Sequence, residues 1–216
     1  MPALAGLLIV VGYRTFNVDR VRQVWQTGST QATVMGTTFV LTLIVPSQYA
    51  VLVGVGLSVI LYVVGASNRV RVVRLTVPEP GKYPTESEPP STVLAGETVV
   101  LAVHGSLFYA SAPVFEQQLP DIEPHAAGGA VVLVLRGHDD LGSTFLQVLG
   151  RYRDRLRVAG VHLLLAGVES RALTQLRDTG MLQRLGPDNV FPGTPTLGDP
   201  LRRAAARAEQ LRDSTG

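Results

Sequence analysis

Between Gln23 and Asn68 the chain carries no Asp, Glu, Lys or Arg. A run of roughly 45 uncharged, mostly apolar residues lies far outside the usage of water-soluble domains, in which about a quarter of residues are charged. From Pro78 onward charges are spread throughout and the apolar runs are short. The chain therefore divides near residue 75 into two parts suited to different solvents. The first is expected to be all-α and membrane-spanning, the second a soluble domain.

Charge divides the same way. Up to Arg74 the single acid is Asp19, against Arg14, Arg20, Arg22, Arg69, Arg71 and Arg74. Beyond that point acids slightly outnumber bases. The sequence pI of about 9.2 thus comes from arginines that flank apolar segments, where they mark topology. It does not come from a basic face on the soluble part, so nucleic acid is not expected as a partner. The absence of cysteine excludes disulfides, thiolate metal sites and a cysteine nucleophile, and suits a reducing cytosol.

The first apolar run, residues 3–11, ends at Gly12–Tyr13–Arg14, half a bilayer core in length. It has no basic segment before it and no small-x-small cleavage site after it, so a signal peptide is not the expectation. It reads instead as the second half of a helix whose first half lies upstream of Met1. Residues 17–26 place Val18, Val21, Val24 and Trp25 opposite Asp19, Arg20 and Arg22. That pattern fits a short helix at the lipid headgroups or a solvated loop. Residues 32–64 are too long for one span, about 50 Å against a 30 Å core, and Pro46 sits near their middle. A helical hairpin is expected, with arms 32–45 and 49–64. A hairpin returns both ends to one side, where both basic clusters then lie. By the positive-inside rule that side is the cytoplasm. Gly54 and Ser58 supply one small-xxx-small spacing, and no ionisable residue lies in the hairpin to coordinate an ion.

Residues 78–91 hold five prolines among Glu79, Gly81, Glu86, Ser87 and Glu88, the composition of an extended linker. The expected division is therefore membrane helices at 1–74, linker at 75–91 and a cytosolic domain at 92–216. In that domain strand-like and helix-like segments alternate. Strands are expected at 98–104, 107–110, 130–135 and 161–166, with helices at 112–119, 143–158, 170–179 and 200–211. Phe145, Leu149, Tyr152 and Leu156 form the apolar stripe of the longest helix. The alternation predicts an α/β domain with a mixed sheet flanked by helices.

No catalytic constellation emerges, and an enzyme is not expected. His104, His125, His138 and His162 lack metal-ligand spacing, Gly128–Gly129 reads as a turn, and Ser106, Ser111 and Ser143 lack a nucleophile-elbow context. No metal or cofactor is implied. Residues 136–145 are more informative, because they join a buried strand to a helix start, where open α/β sheets place their sites. Asp139, Asp140, Ser143 and Thr144 lie there. A plain helix cap formed by Ser143 or Gly142, with two solvated aspartates, fits the same residues. The second candidate is the row Arg151, Arg153, Arg155 and Arg157, which either contacts headgroups or an acidic partner or forms a solvated helix face.

The blocks Leu107–Phe108–Tyr109–Ala110–Ser111–Ala112, Val131–Val132–Leu133–Val134–Leu135–Arg136, Asp140–Leu141–Gly142–Ser143–Thr144–Phe145 and Val161–His162–Leu163–Leu164–Leu165–Ala166–Gly167 resemble the successive blocks of a STAS domain. The segment Leu176–Arg177–Asp178–Thr179–Gly180–Met181–Leu182 and the later Asp188–Asn189–Val190–Phe191 are similar to that family's closing region. Residues 2–10 and 49–55 resemble the final membrane helices of SulP permeases.

This resemblance implies a secondary anion transporter of the cell inner membrane, for sulfate or a related anion, with a cytoplasmic STAS regulatory domain. The implied partners are the lipid bilayer, an upstream transporter core, a second copy in a homodimer and a cytosolic regulatory protein. The anion site of the family lies in the upstream core, so no anion-binding residue is carried over. Thr144 matches the family's usual phosphoacceptor position in a loop that commonly reads Asp-Ser-Ser/Thr-Gly, but Gly142 and Phe145 replace its first and last residues. A membrane-tethered STAS binding module, with no transport activity, is the competing expectation.

Overall fold

The computed structural model describes residues 47–67, 70–76, 84–124 and 126–213, with short helical pieces at 5–7, 10–11, 35–37 and 39–40. The expected segment 17–26, residues 3–4 and 8–9 of the half helix 3–11, most of the hairpin arm 32–45, and residues Arg69 and His125 lie outside them. The chain forms two compact units, Met1–Val63 and Val64–Gly216.

Helix α1, Ser47–Ser67, begins one residue after Pro46 and carries no charged residue. Valine is its commonest residue and three glycines interrupt it, and both are weak helix formers in water. Leu52, Ile60 and Tyr62 are more than 60% exposed, so its apolar side chains face outward on several sides. Among the described residues no helix is long and apolar enough to cross a membrane. The unbroken run of described side chains in α1, residues 51–65, covers about 22 Å against a core of about 30 Å.

The second unit is built on a six-stranded sheet. Its strands are β1 (Arg71–Thr76), β2 (Thr85–Ser87), β4 (Thr98–His104), β6 (Ala130–Val134), β7 (His162–Val168) and β8 (Val190–Pro192), in the order β2-β1-β4-β6-β7-β8. From β4 to β8 the strands are parallel, while β1 is antiparallel to both its neighbours. Strands β3 (Thr92–Val93) and β5 (Asp121–Ile122) form a separate parallel pair. The sheet is mixed and flanked by helices, as the alternation of segments predicts.

Period-two alternation explains the layering. One set of strand residues, including Val99, Leu101, Val131, Leu133, Leu163 and Leu165, packs under α2 (Ala112–Gln118), α3 (Ser143–Val158), α4 (Ser170–Asp178) and α5 (Met181–Leu185). The alternate set, Val100, Val132, Leu164 and Ala166, packs under α6 (Asp199–Asp213) through Ala204 and Ala208. The α3 stripe Phe145, Leu149, Tyr152 and Leu156 is buried throughout. Phe145 meets Phe115 of α2 with ring centroids 4.8 Å apart. Each such ring contributes about 2–3 kcal/mol by burial.

Two expectations are corrected. Residues 71–76 and 85–87, read as a juxtamembrane cluster and a linker, are strands of the sheet. Val70, Val72 and Val73 are buried and Arg74 Nη2 pairs with Glu97 Oε1 at 2.9 Å, so Arg71 and Arg74 are residues of a strand. The apolar run 107–110 is not a strand. The buried Ser111 hydroxyl accepts the Phe108 N–H at 3.0 Å and faces the Ser106 and Phe108 carbonyls at 2.8 and 2.9 Å, which closes a turn.

Candidate functional site

Parallel strands bring their carboxyl ends to one edge, where β4 gives way to residues 105–111, β6 to residues 135–142 and β7 to Glu169. Open α/β sheets hold their sites at such an edge. The loop after β6 is fastened from both sides. His138 Nε2 lies 2.8 Å from the Gly105 carbonyl, and its backbone N–H donates to Leu135 O at 3.2 Å. Nδ1 lies 3.3 Å from Leu135 O; a carbonyl only accepts, so in the neutral ring the shorter of the two ring contacts is the one that the single N–H serves, at Nε2. Arg136 Nη1 donates to Thr194 O at 3.1 Å.

Asp140 is the centre of the loop. Its Oδ1 accepts the Gly142 N–H at 3.0 Å and Nε2 of Gln175 at 2.9 Å, while Oδ2 lies 3.5 Å from Arg171 Nη2. These contacts hold its carboxyl below the usual carboxylate range, chiefly through Gln175, then the Gly142 N–H, with a smaller attraction from Arg171. The Gln175 amide also accepts the Leu141 N–H at 3.0 Å. One side chain on α4 thus fixes two consecutive positions of the loop.

Gly142 occupies the cap position of α3 with φ +57° and ψ 146°, a conformation open almost only to glycine. A Cβ there would also lie 3.4 Å from Leu107 O. Because glycine has no side chain, α3 receives no side-chain cap. Ser143 is exposed and Thr144 half-buried on the first turn. The sequence expectation of a cap by Gly142 or Ser143 resolves to Gly142. A groove of about 570 Å³ runs between residues 105–109 and the stretch 137–143, lined by Tyr109, His138, Asp139, Asp140 and Ser143 among others. Asp139, Asp140 and Ser143, grouped from the sequence alone, thus share one groove, with Thr144 next along the helix.

The arginine row of α3 is arranged differently. Arg151 grips Glu116 of α2 with contacts of 2.7 and 3.3 Å, which lowers the glutamate and raises the arginine through the same hydrogen bond. Arg153 donates to Asp154 Oδ1 at 2.8 Å and to the Arg184 carbonyl, and Arg184 Nη2 reaches Asp154 Oδ2 at 2.7 Å. Arg155 lies over the Tyr152 ring at 5.3 Å. Arg157 is exposed. Three of the four are therefore engaged within the domain.

The residues that sequence reasoning missed are Gln175, Ser111 and Gln118, each polar and each closing a turn or a strand edge through contacts that no local motif announces. His104 ends β4. His162 opens β7 half-buried, with its pKa lowered by burial and then by Arg207. Among the described residues no three His, Asp or Glu side chains gather into a metal-binding group.

The STAS domain family matches residues 89–197. Among solved structures, the murine Solute Carrier 26 family member A9 anion transporter, in its inward-facing state, superposes with a TM-score of 0.67 at 14% identity. That alignment covers 88% of this chain and 30% of that one. A second structure of SLC26A9 gives 0.66 at 14% identity, over 90% of this chain and 32% of that one. A sulfate transporter family protein from Wolinella succinogenes gives 0.43 at 21% identity, over 56% and 91%. No curated protein matches the chain. The chain spans about a third of the length of the two SLC26A9 structures.

Proposed function

The chain belongs to the STAS domain family, and from that premise we propose that it is the carboxyl-terminal part of a SulP-type secondary anion transporter, carrying the last membrane helices and the cytoplasmic STAS regulatory domain. The observation that carries this reading is the extent of the likeness to SLC26A9. An alignment over 88% of the chain is a share that the sheet and its helices alone do not reach, so it includes residues upstream of β1. The uncharged run from Gln23 to Asn68, and α1 within it, supports the same reading.

In this reading residues 1–67 end the membrane part, in an inner membrane with both arginine clusters cytoplasmic, and β1 opens the following domain. The STAS domain binds regulatory partners through the edge that holds Asp139, Asp140, Ser143 and Thr144, and the exposed Arg157 is placed to meet an acidic partner or headgroups. The transported species is sulfate or a related anion, held by the upstream core, and the assembly is a homodimer. The domain acts by binding.

The test is the size of the native product. The gene is tagged at its 3′ end at its own locus and the membrane fraction is blotted. A band more than about twice the mass of this chain is expected, since a transport path needs many more helices than one hairpin. A membrane-bound band near 23.1 kDa overturns the transporter reading and leaves a tethered STAS binding module.

A further inference from the structure

The sheet has an amino edge as well, where β4, β6 and β7 begin and α3 ends. A groove of about 1260 Å³ opens there, between Asp121, Ile122 and Glu123 on one side and the last turn of α3 on the other. Strand β5 borders it and is paired on one side only. The Asp121 and Glu123 N–H groups donate to the Ser91 and Val93 carbonyls at 2.9 and 3.3 Å. Alternate residues of such a ladder point their backbone groups to opposite sides, so the N–H and C=O of Ile122 point away from β3. Among the described residues no strand pairs with β5 on that side. Two residues earlier the Pro120 carbonyl accepts the Tyr152 hydroxyl of α3, which identifies that side as the groove side.

The groove has an apolar floor and a charged rim. Val158 is 85% exposed, Ile122 and Ala159 are half-buried against the core, and Pro124 and Ala127 lie exposed beside them. Four carboxylates line it, Glu116, Asp121, Glu123 and Asp154, against two arginines, Arg151 and Arg155. Arg151 satisfies Glu116, and Arg153 and Arg184 satisfy Asp154. Asp121 and Glu123 are exposed and form no ion pair among the described residues. The surplus at the rim is therefore negative, and it stands beside the open strand edge.

We propose that β5 is a docking edge for an extended, alternating basic and apolar segment of a soluble partner protein, added as a third strand to the β3–β5 pair. Side chains alternate along a strand, so Asp121 and Glu123 stand on one face of β5 and Ile122 on the other. A strand laid along Ile122 sets its basic residues beside the two carboxylates and its apolar residues toward Ile122 and Val158. The two backbone bonds at Ile122 fix its register, and the side chains choose its sequence. This edge is opposite to the groove of Asp139, Asp140 and Ser143, so the inference stands apart from the reading of that site.

The test uses the full chain in dodecyl maltoside micelles and three fluorescein-labelled peptides, read by anisotropy. They are Lys-Val-Lys-Val-Lys-Val-Lys, the same peptide with Glu for every Lys, and the block peptide Lys-Lys-Lys-Lys-Val-Val-Val. The alternating basic peptide is expected to bind, the block peptide more weakly and the acidic one not at all. Val158→Lys, and separately Asp121→Asn with Glu123→Gln, should each weaken binding about fivefold or more. Leu197→Lys, which adds the same charge at a 77% exposed position outside the groove, should leave it unchanged. Hydrogen exchange should slow at the Ile122 amide when the basic peptide is bound and stay as it was at Glu123, whose N–H is already engaged. No binding of the alternating basic peptide up to about 1 mM overturns the inference. So does equal binding of the block peptide, which makes the contact one of charge alone. Binding that both groove variants retain places the peptide elsewhere and overturns it too, as does preference for the acidic peptide.

Discussion

Gln118 of α2 completes the open side of β1 at Val72, accepting its backbone N–H through Oε1 at 2.8 Å. The same amide donates through Nε2 to the Val70 carbonyl at 3.0 Å, so one side chain imitates a neighbouring strand. Strand β2 pairs with β1 only at residues 74–76, which leaves residues 70–72 with no strand beyond them. Replacing Gln118 with alanine leaves two backbone groups in a partly buried setting without partners. A loss of about 1–3 kcal/mol is expected. Urea unfolding should show it as a lower midpoint with an unchanged slope, and an unchanged midpoint would mean that water serves as well as the amide.

The amide of Gln175 plays the corresponding part for the candidate loop. With Gln175→Ala the Leu141 N–H loses its acceptor and Asp140 loses its main hydrogen-bond donor. The expected result is local: faster amide exchange at Leu141 and Gly142, with little change in the strands β6 and β7. Uniform acceleration across the sheet would show that Gln175 matters to global stability instead.

The pH dependence of that loop follows from Asp140. Its folded carboxyl titrates below its unfolded value of about 3.9, because Gln175, the Gly142 N–H and Arg171 all favour the charged form. A depressed carboxyl contributes order that is fully present above the unfolded value and lost as pH falls through the folded one. Protection of the Gly142 amide should therefore hold at neutral pH and decline only below about pH 4. In Asp140→Asn that acid-range decline should disappear. Its persistence would assign the effect to another carboxyl group.

How far the chain was legible from its letters depended on whether a feature was local. The α3 stripe at 145, 149, 152 and 156 and the apolar run of β6 announce themselves by period and length, and both elements lie where expected. Strand β1 was hidden because Arg71 and Arg74 resemble topology markers. Only the distant β4 and Glu97 turn them into strand residues. The loop 136–142 was visible as a strand-to-helix junction. The contacts of Gln175 and His138 within it span 34 and 33 residues of sequence, and no spacing rule reaches that far.

Gly142 should tolerate no side chain. Alanine there meets both the positive φ and the Leu107 carbonyl, so strain of about 1–3 kcal/mol is expected. Part of it should be relieved by moving residues 105–109, which would widen the groove. Chemical-shift changes at Leu107 and Phe108 that exceed those along α3 would report this. Changes confined to α3 would place the strain in the helix start.

Tyr152 gives the alkaline counterpart of Asp140. Its hydroxyl donates to the Pro120 carbonyl at 3.2 Å, and burial pushes its pKa well above the usual phenol value. An acid whose folded pKa is raised contributes stability that is fully present below the unfolded value, about 10, and lost as pH rises toward the folded one. The unfolded chain releases the proton first, so the domain should weaken steadily above about pH 10. Tyr152→Phe removes the ionisable group but also the bond to Pro120. At neutral pH it should cost about 1 kcal/mol, while the slope of stability against pH above 10 becomes shallower. The two lines should therefore approach each other as pH rises. Parallel lines would mean that Tyr152 ionises in the folded state as readily as in the unfolded one.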